Sequence, residues 1–270
     1  MASPHVDVDD LIATLEQIRQ RGHSAHTVFR DWVELMLFAL QRRDEPYLEI
    51  LEGYRERADM DQPDGQRSAD LFANAFGQLQ ERMAETDADV LGAVYEEYGM
   101  SSDAFGQHFT PHPVCEMMAE ISGIVDDSET DGRQTVLDPA CGSGRMLLVG
   151  ARHQPTSLFV GQDKDPLCAK MAALNCCFFN IDAYIVQGDS LTVKYQRAWQ
   201  TSHSPMGGSV RELDEDETED LRDSLTAAFE NMAKEQSKDD ASQASEAQNV
   251  NVSTLSGREQ ASLLAFDSDH

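Results

Sequence analysis

The sequence predicts an α/β protein in three parts: a helical N-terminal module, a central parallel sheet interleaved with helices, and an acidic tail. Three patterns predict it. Apolar residues recur at helical spacing over residues 8–98. Short apolar strands then alternate with helices between residues 135 and 186. Beyond residue 200 the chain turns to Ser, Gln, Asn, Asp and Glu.

Val8, Leu11, Ile12, Leu15 and Ile18 fall on one helical face, and residues 28–40 form a denser apolar stretch around Trp32, Leu35, Met36 and Phe38. Pro46 marks a break, with 47–54 a further short helix. Residues 61–65 read as a turn or linker, and two helices follow at 68–85 and 87–98. The segment 1–100 therefore reads as an all-helical module, a scaffold for packing and dimerisation. Val114, Met117, Met118 and Ile121 make an i, i+3, i+4, i+7 stripe on a helix that Pro113 can open. A turn at 126–132 leads to a strand at 135–138, a helix from Arg145, a strand at 158–161, a helix opened by Pro166, and a strand at 183–186. Leu167, Met171, Leu174 and Phe178 share one face of the Pro166 helix. This alternation implies a parallel sheet with right-handed crossovers. The expected division is 1–100 helical, 101–200 sheet-bearing, and 201–270 tail, with a helix near Leu221, Leu225, Ala228 and Phe229 and a disorder-like composition over 238–256.

The sequence elements that carry chemistry sit at strand ends. Asp138-Pro139-Ala140-Cys141-Gly142-Ser143-Gly144 follows the first strand; its glycines let backbone approach a ligand, and Asp138 can receive a cationic amine. The third glycine of a dinucleotide loop is absent, Leu147 standing there. Asp163, in Gly161-Gln162-Asp163-Lys164-Asp165-Pro166, is placed to accept from two ribose hydroxyls, and Asp189, in Gly188-Asp189-Ser190-Leu191, to accept from an adenine amino group. His108 and His112 have the look of a metal pair, but nothing near them completes a site, and they read as loop residues.

Together with Gly106-Gln107-His108-Phe109-Thr110-Pro111 upstream, these segments resemble the adenine-N6 DNA methyltransferases, above all the modification subunits of type I restriction systems. The resemblance covers roughly residues 87–195, including a lead-in helix at 89–96. It implies a partial Rossmann-like methyltransferase sheet and the cofactor S-adenosylmethionine (SAM). Gln107, Phe109, Thr110 and Pro111 would wrap its methionine end. Asp138, Gly142, Ser143 and Gly144 would line its centre, Asp163 its ribose and Asp189 its adenine. It also implies DNA as substrate and a second methyltransferase or specificity subunit as partner.

One family motif is missing. Active members carry N/D/S-P-P-Y/F after the adenine acid to grip an extruded base. No Pro-Pro pair occurs in this chain, and Pro205, in Ser204-Pro205-Met206, has no aromatic neighbour. Three readings follow: a split or incomplete subunit needing a partner for methyl transfer, a non-catalytic SAM-binding or regulatory module, or an enzyme with an unrecognised motif. The first is preferred. A nicotinamide oxidoreductase is disfavoured by the 106–111 segment and the missing glycine; a DNA-mimicking decoy would need no glycine loop.

Charge sets the environment. The chain holds 49 acids and 21 bases, a formal net charge of -28, and only five of the bases are lysine. Acidity is spread along it, with 33 acids against 16 bases in residues 1–200 and 16 against 5 beyond. Such a surface suits a salt-saturated cytoplasm, where ions screen self-repulsion. It does not exclude DNA, because counterion release gains little at molar salt. Five cysteines without CxxC spacing and no signal-like or membrane-length apolar run agree with a cytoplasmic setting. The melting temperature is expected to rise as potassium chloride goes from low to multimolar; a flat or falling curve in thermal melts would remove the halophilic reading.

Overall fold

In the computed structural model, residues 6–99, 109–121 and 135–228 are described. The apolar spacing of the N-terminal segment becomes six helices: α1 (Asp9–Arg19), α2 (Ala25–Leu40), α3 (Asp44–Glu52), α4 (Arg57–Met60), α5 (Ser68–Thr86) and α6 (Val90–Glu97). Ser24 starts α2 by accepting the Thr27 N–H at 3.0 Å. Pro46 does not break the chain as expected. It lies in the first turn of α3, where its missing N–H would have had no intrahelical partner. The helix expected over 87–98 starts later, because Asp87 closes α5 with φ 50° and Asp89 caps α6 by accepting the Gly92 N–H at 2.8 Å.

Helix α7 (His112–Ile121) corrects a second expectation. Its apolar stripe is not its packed face: Met117 is 52% and Ile121 76% exposed. The buried residues are Cys115 and Ala119, which meet Val149 of α8 (Arg145–His153). Small side chains let the two helices approach closely, and the larger ones stay outside. The expected turn at 126–132 lies outside the described residues.

Strands β1 (Thr135–Asp138), β2 (Leu158–Asp163), β3 (Ala183–Asp189), β4 (Lys194–Ser202) and β5 (Ser209–Glu212) form one sheet in the order β1-β2-β3-β4-β5. β1, β2 and β3 are parallel, as predicted; β4 and β5 are antiparallel, so the sheet is mixed. β4 begins Lys194-Tyr195-Gln196-Arg197, polar enough to read as loop, and only its second half is buried, at Ala198, Trp199 and Thr201. β5 lies past residue 200, in the stretch whose composition suggested a tail. Everything described so far belongs to the first of two units, Met1–Thr218 and Glu219–His270; the described residues 219–228 of the second are helical. The low-complexity stretch 238–256 lies outside the described residues.

Helix α9 (Pro166–Phe178) organises the first unit. Asp165 caps it, accepting the N–H groups of Leu167 (2.7 Å) and Cys168 (3.3 Å), with Pro166 at its first turn. Instead of one apolar face it buries every residue from Leu167 to Cys177. It packs on β2, β3 and β4 and also on α2, α6 and α8, so it is covered all round. Lys170 is buried with it and pairs with Glu34 of α2. A single core consequently runs from Leu15, Phe29, Trp32 and Leu79 in the helices to Phe159, Met171, Leu174 and Trp199 around the sheet.

The two tryptophans, both fully buried, report separately on these layers. In Trp199→Phe the remaining Trp32 follows the helices, and in Trp32→Phe the remaining Trp199 follows the sheet. Each fluorescence transition in denaturant should coincide with the far-UV circular dichroism transition of the same variant. Separate midpoints would show that the helices and the sheet unfold as independent units.

Candidate functional site

The glycine loop forms because the chain must turn sharply from the end of β1 into α8. Gly142 has φ 55°, and a Cβ there would lie 2.8 Å from the Phe109 ring; Gly144 has φ 87° and would meet Ala172 at 3.2 Å. Only glycine satisfies both the conformation and the space. The loop is tied to β2 by Cys141 N–H donating to the Gln162 carbonyl (2.9 Å) and Gly142 N–H donating to Asp163 Oδ2 (2.9 Å). The other Asp163 oxygen accepts the Asp165 N–H at 2.8 Å.

These contacts enclose a cavity of about 190 Å³ at the carboxyl ends of β1 and β2, where open α/β sheets hold ligands. Six of the expected site residues line it: Phe109, Thr110, Asp138, Gly142, Ser143 and Asp163. Three others are not brought to it. Gly144 caps α8 with its backbone against Ala172. Pro111 lines a neighbouring cavity of about 220 Å³. Asp189 turns into its own loop, accepting from Leu191 N–H (3.0 Å) and Thr192 N–H (3.2 Å), with Lys164 at 3.3 Å. Lys164 holds the Asp189 carboxyl below the usual carboxylate range. Gln107 lies outside the described residues, as does His108. His112 begins α7 and meets Arg152 at 2.9 Å, and the described residues contain no cluster able to hold a metal.

Behind the loop lies a network that sequence reasoning missed. Asp89, 3% exposed, accepts from Ser143 Oγ, from Arg145 Nε at 3.1 Å and from Asn175 Nδ2 at 2.8 Å, besides capping α6. Asn175 also donates to the Ser143 carbonyl at 2.8 Å. Arg145 donates further to Glu96 (3.2 Å) and to the Thr110 carbonyl (3.0 Å). The Ser143 hydroxyl is thus committed to the scaffold. Two signals could have found this network: a cation in the first turn of α8 opposes the helix dipole unless acids accompany it, and Asn175 is, apart from Lys170, the one polar residue in helix α9.

Electrostatics mark the cavity as a place for positive charge. Burial raises the Asp138 carboxyl above its ordinary value, and neighbouring Asp163 adds to this, against a hydrogen bond from the Ala140 N–H. Burial raises Asp163 likewise, with the Asp165 and Gly142 N–H groups acting the other way. A carboxyl raised by folding favours the fold fully below its unfolded pKa and loses that contribution as pH rises through its folded pKa. At neutral pH both charges therefore count against the fold. Asp138→Asn should raise the melting temperature at about pH 7, with the gain shrinking as pH falls toward the unfolded aspartate value of about 3.9. A gain independent of pH, or a loss at neutral pH, would contradict this account.

Residues 86–206 match the N-6 DNA Methylase family. The type I restriction enzyme MjaVIII methylase subunit of Methanocaldococcus jannaschii is 33% identical over 118 residues, covering 40% of this chain and 19% of that protein. The MjaVII methylase subunit of the same organism is 30% identical over 129 residues, covering 43% and 21%. The chain thus spans about a fifth of the length of these curated relatives. A crystal structure of the type I restriction-modification system methyltransferase subunit from Streptococcus thermophilus aligns at 21% identity over 66% of this chain and 38% of that one, with a TM-score of 0.35. Residues 86–206, a little under half of this chain, are thus similar to the N-6 DNA Methylase family and to these type I methylase subunits.

Proposed function

We propose that this chain binds SAM in the glycine-loop cavity and is the cofactor-holding part of a restriction-modification methyltransferase acting on the N6 of adenine in DNA. The observation that carries the reading is the convergence of Phe109, Thr110, Asp138, Gly142, Ser143 and Asp163 on one cavity. The donor set suits the cofactor: two half-buried carboxylates, neither in a salt bridge among the described residues, fit its ammonium and sulfonium charges, and glycine at 142 leaves room beside Phe109. Phe109, Thr110 and Pro111, with Gln107, would hold the methionine end and Asp163 the ribose. The adenine end would extend past the cavity along the strand ends toward Asp189. When bound, SAM supplies an electrophilic methyl group; the residues here bind and orient it.

The part that grips the target base comes, on this reading, from outside these 270 residues, since they contain no Pro-Pro pair. The sheet supports this. Among the described residues β1 has a neighbour on one side only, and Val136, Leu137 and Asp138 are half-buried, although parallel strands are ordinarily covered. A strand from the complementary part would pair there, close to the cavity. No described helix is long and apolar enough to cross a membrane. A salt-rich cytoplasm is the setting proposed from the acidic surface.

Calorimetry in molar salt should show binding of SAM or S-adenosylhomocysteine, weakened by Asp163→Ala on the order of 1–3 kcal/mol. With unmethylated host DNA and radiolabelled SAM, this chain alone should transfer no methyl group, and adding the complementary subunit should restore N6-methyladenine. Absence of binding at millimolar ligand would end the cofactor assignment. Binding with no transfer in any combination would favour the non-catalytic module, and robust transfer by the lone chain would show an unrecognised catalytic segment.

A further inference from the structure

Arg145 stands where the two walls of the cavity meet. One wall, the glycine loop, is fixed by backbone bonds to β2. The other is residues 109–111, which belong to no helix or strand; the Pro111 carbonyl accepts the Val114 and Cys115 N–H groups of α7, while Phe109 and Thr110 are met by side chains. Arg145 supplies two of these contacts: Nη1 donates to the Thr110 carbonyl at 3.0 Å, which Cys115 Sγ also reaches at 3.5 Å, and the guanidinium lies over the Phe109 ring, 5.8 Å from its centroid. The Phe109 ring also packs on Tyr95, at 5.0 Å between centroids. The guanidinium is itself held, through Nε on Asp89 and Nη2 on Glu96, with the Arg145 side chain 12% and the Asp89 side chain 1% exposed. A planar group donating in three directions from a buried anchor is a fixed strut, which a lysine ammonium on the same stem cannot reproduce.

We propose that Arg145 is a positioning residue that clamps the Phe109–Thr110 segment against the glycine loop, and thereby sets how tightly the methionine end of the cofactor is held while leaving the adenosine end alone. This rests on the cofactor reading above. Asp163 and Asp189, assigned to ribose and adenine, are tied to β2, the glycine loop and the β3 turn without using Arg145.

The test uses the full chain in molar salt and three ligands, SAM, S-adenosylhomocysteine and adenosine. Arg145→Lys keeps a charge for Asp89 to pair with. It should weaken SAM and S-adenosylhomocysteine binding roughly tenfold and change adenosine binding by less than about twofold. Phe109→Ala leaves the Asp89–Arg145 pair intact, should show the same selective loss, and keeps the test open if the lysine variant fails to fold. In the double variant the two losses should not add, because one residue acts through the other. Unchanged SAM affinity in Arg145→Lys, equal loss of SAM and adenosine, or additive losses would overturn the clamp while the cofactor reading stands. A parent chain that binds none of the three ligands would overturn both.

Discussion

The buried carboxylate of Asp89 is the interaction on which the rest of the structure depends. A charge so far from water is tolerated only when its oxygens are satisfied, and removing one partner of such a group typically costs about 3–5 kcal/mol. Here the donors come from four places: the Gly92 N–H on α6, Ser143 in the glycine loop, Arg145 on α8 and Asn175 on α9. Each donor fixes one element relative to the others. The N-terminal helices, the loop and the helix beneath the sheet share one anion, so the geometry of the cavity is inseparable from the packing of the helical layer.

That arrangement also shows how a chain so poor in bases uses them. Arg21 pairs with Asp59, Lys170 with Glu34 and Arg145 with Asp89, all at positions where the basic side chain is about nine-tenths buried. Asp59 also accepts from the N–H and hydroxyl of Ser68, which burial would otherwise leave to push its carboxyl upward; the balance holds it below its usual value. Acids dominate exposed positions, while these three bases join elements distant in sequence. Screening by salt weakens exposed pairs far more than buried ones, so such joints suit concentrated salt.

Much of the cavity could be read from the sequence, because strand-end carboxylates and tight glycine turns are local features. Asp138, Gly142 and Asp163 fall where spacing placed them. What could not be read is non-local. The Asp89 network joins residues 89, 143, 145 and 175, and no short window contains it. The face that α7 buries was misjudged because periodicity identifies apolar positions and not which neighbour covers them. β4 was missed because its first half is polar and its burial comes from Trp199 and α9 behind it. Pro46 misled for a different reason: its meaning depends on where in a helix it falls.

The sulfur in the cavity wall has a consequence of its own. Cys115, Cys141 and Cys168 all line it, and burial pushes each thiol up, Cys115 to about 11 and the other two further. The thiolate, not the thiol, is the nucleophile. The cofactor proposed for this cavity is an alkylating agent, so a wall of ionised cysteines would consume it and scar the protein. Held protonated by burial, the same atoms are inert, polarisable packing material. On that proposal, a reactive sulfonium would sit beside sulfur without alkylating the protein.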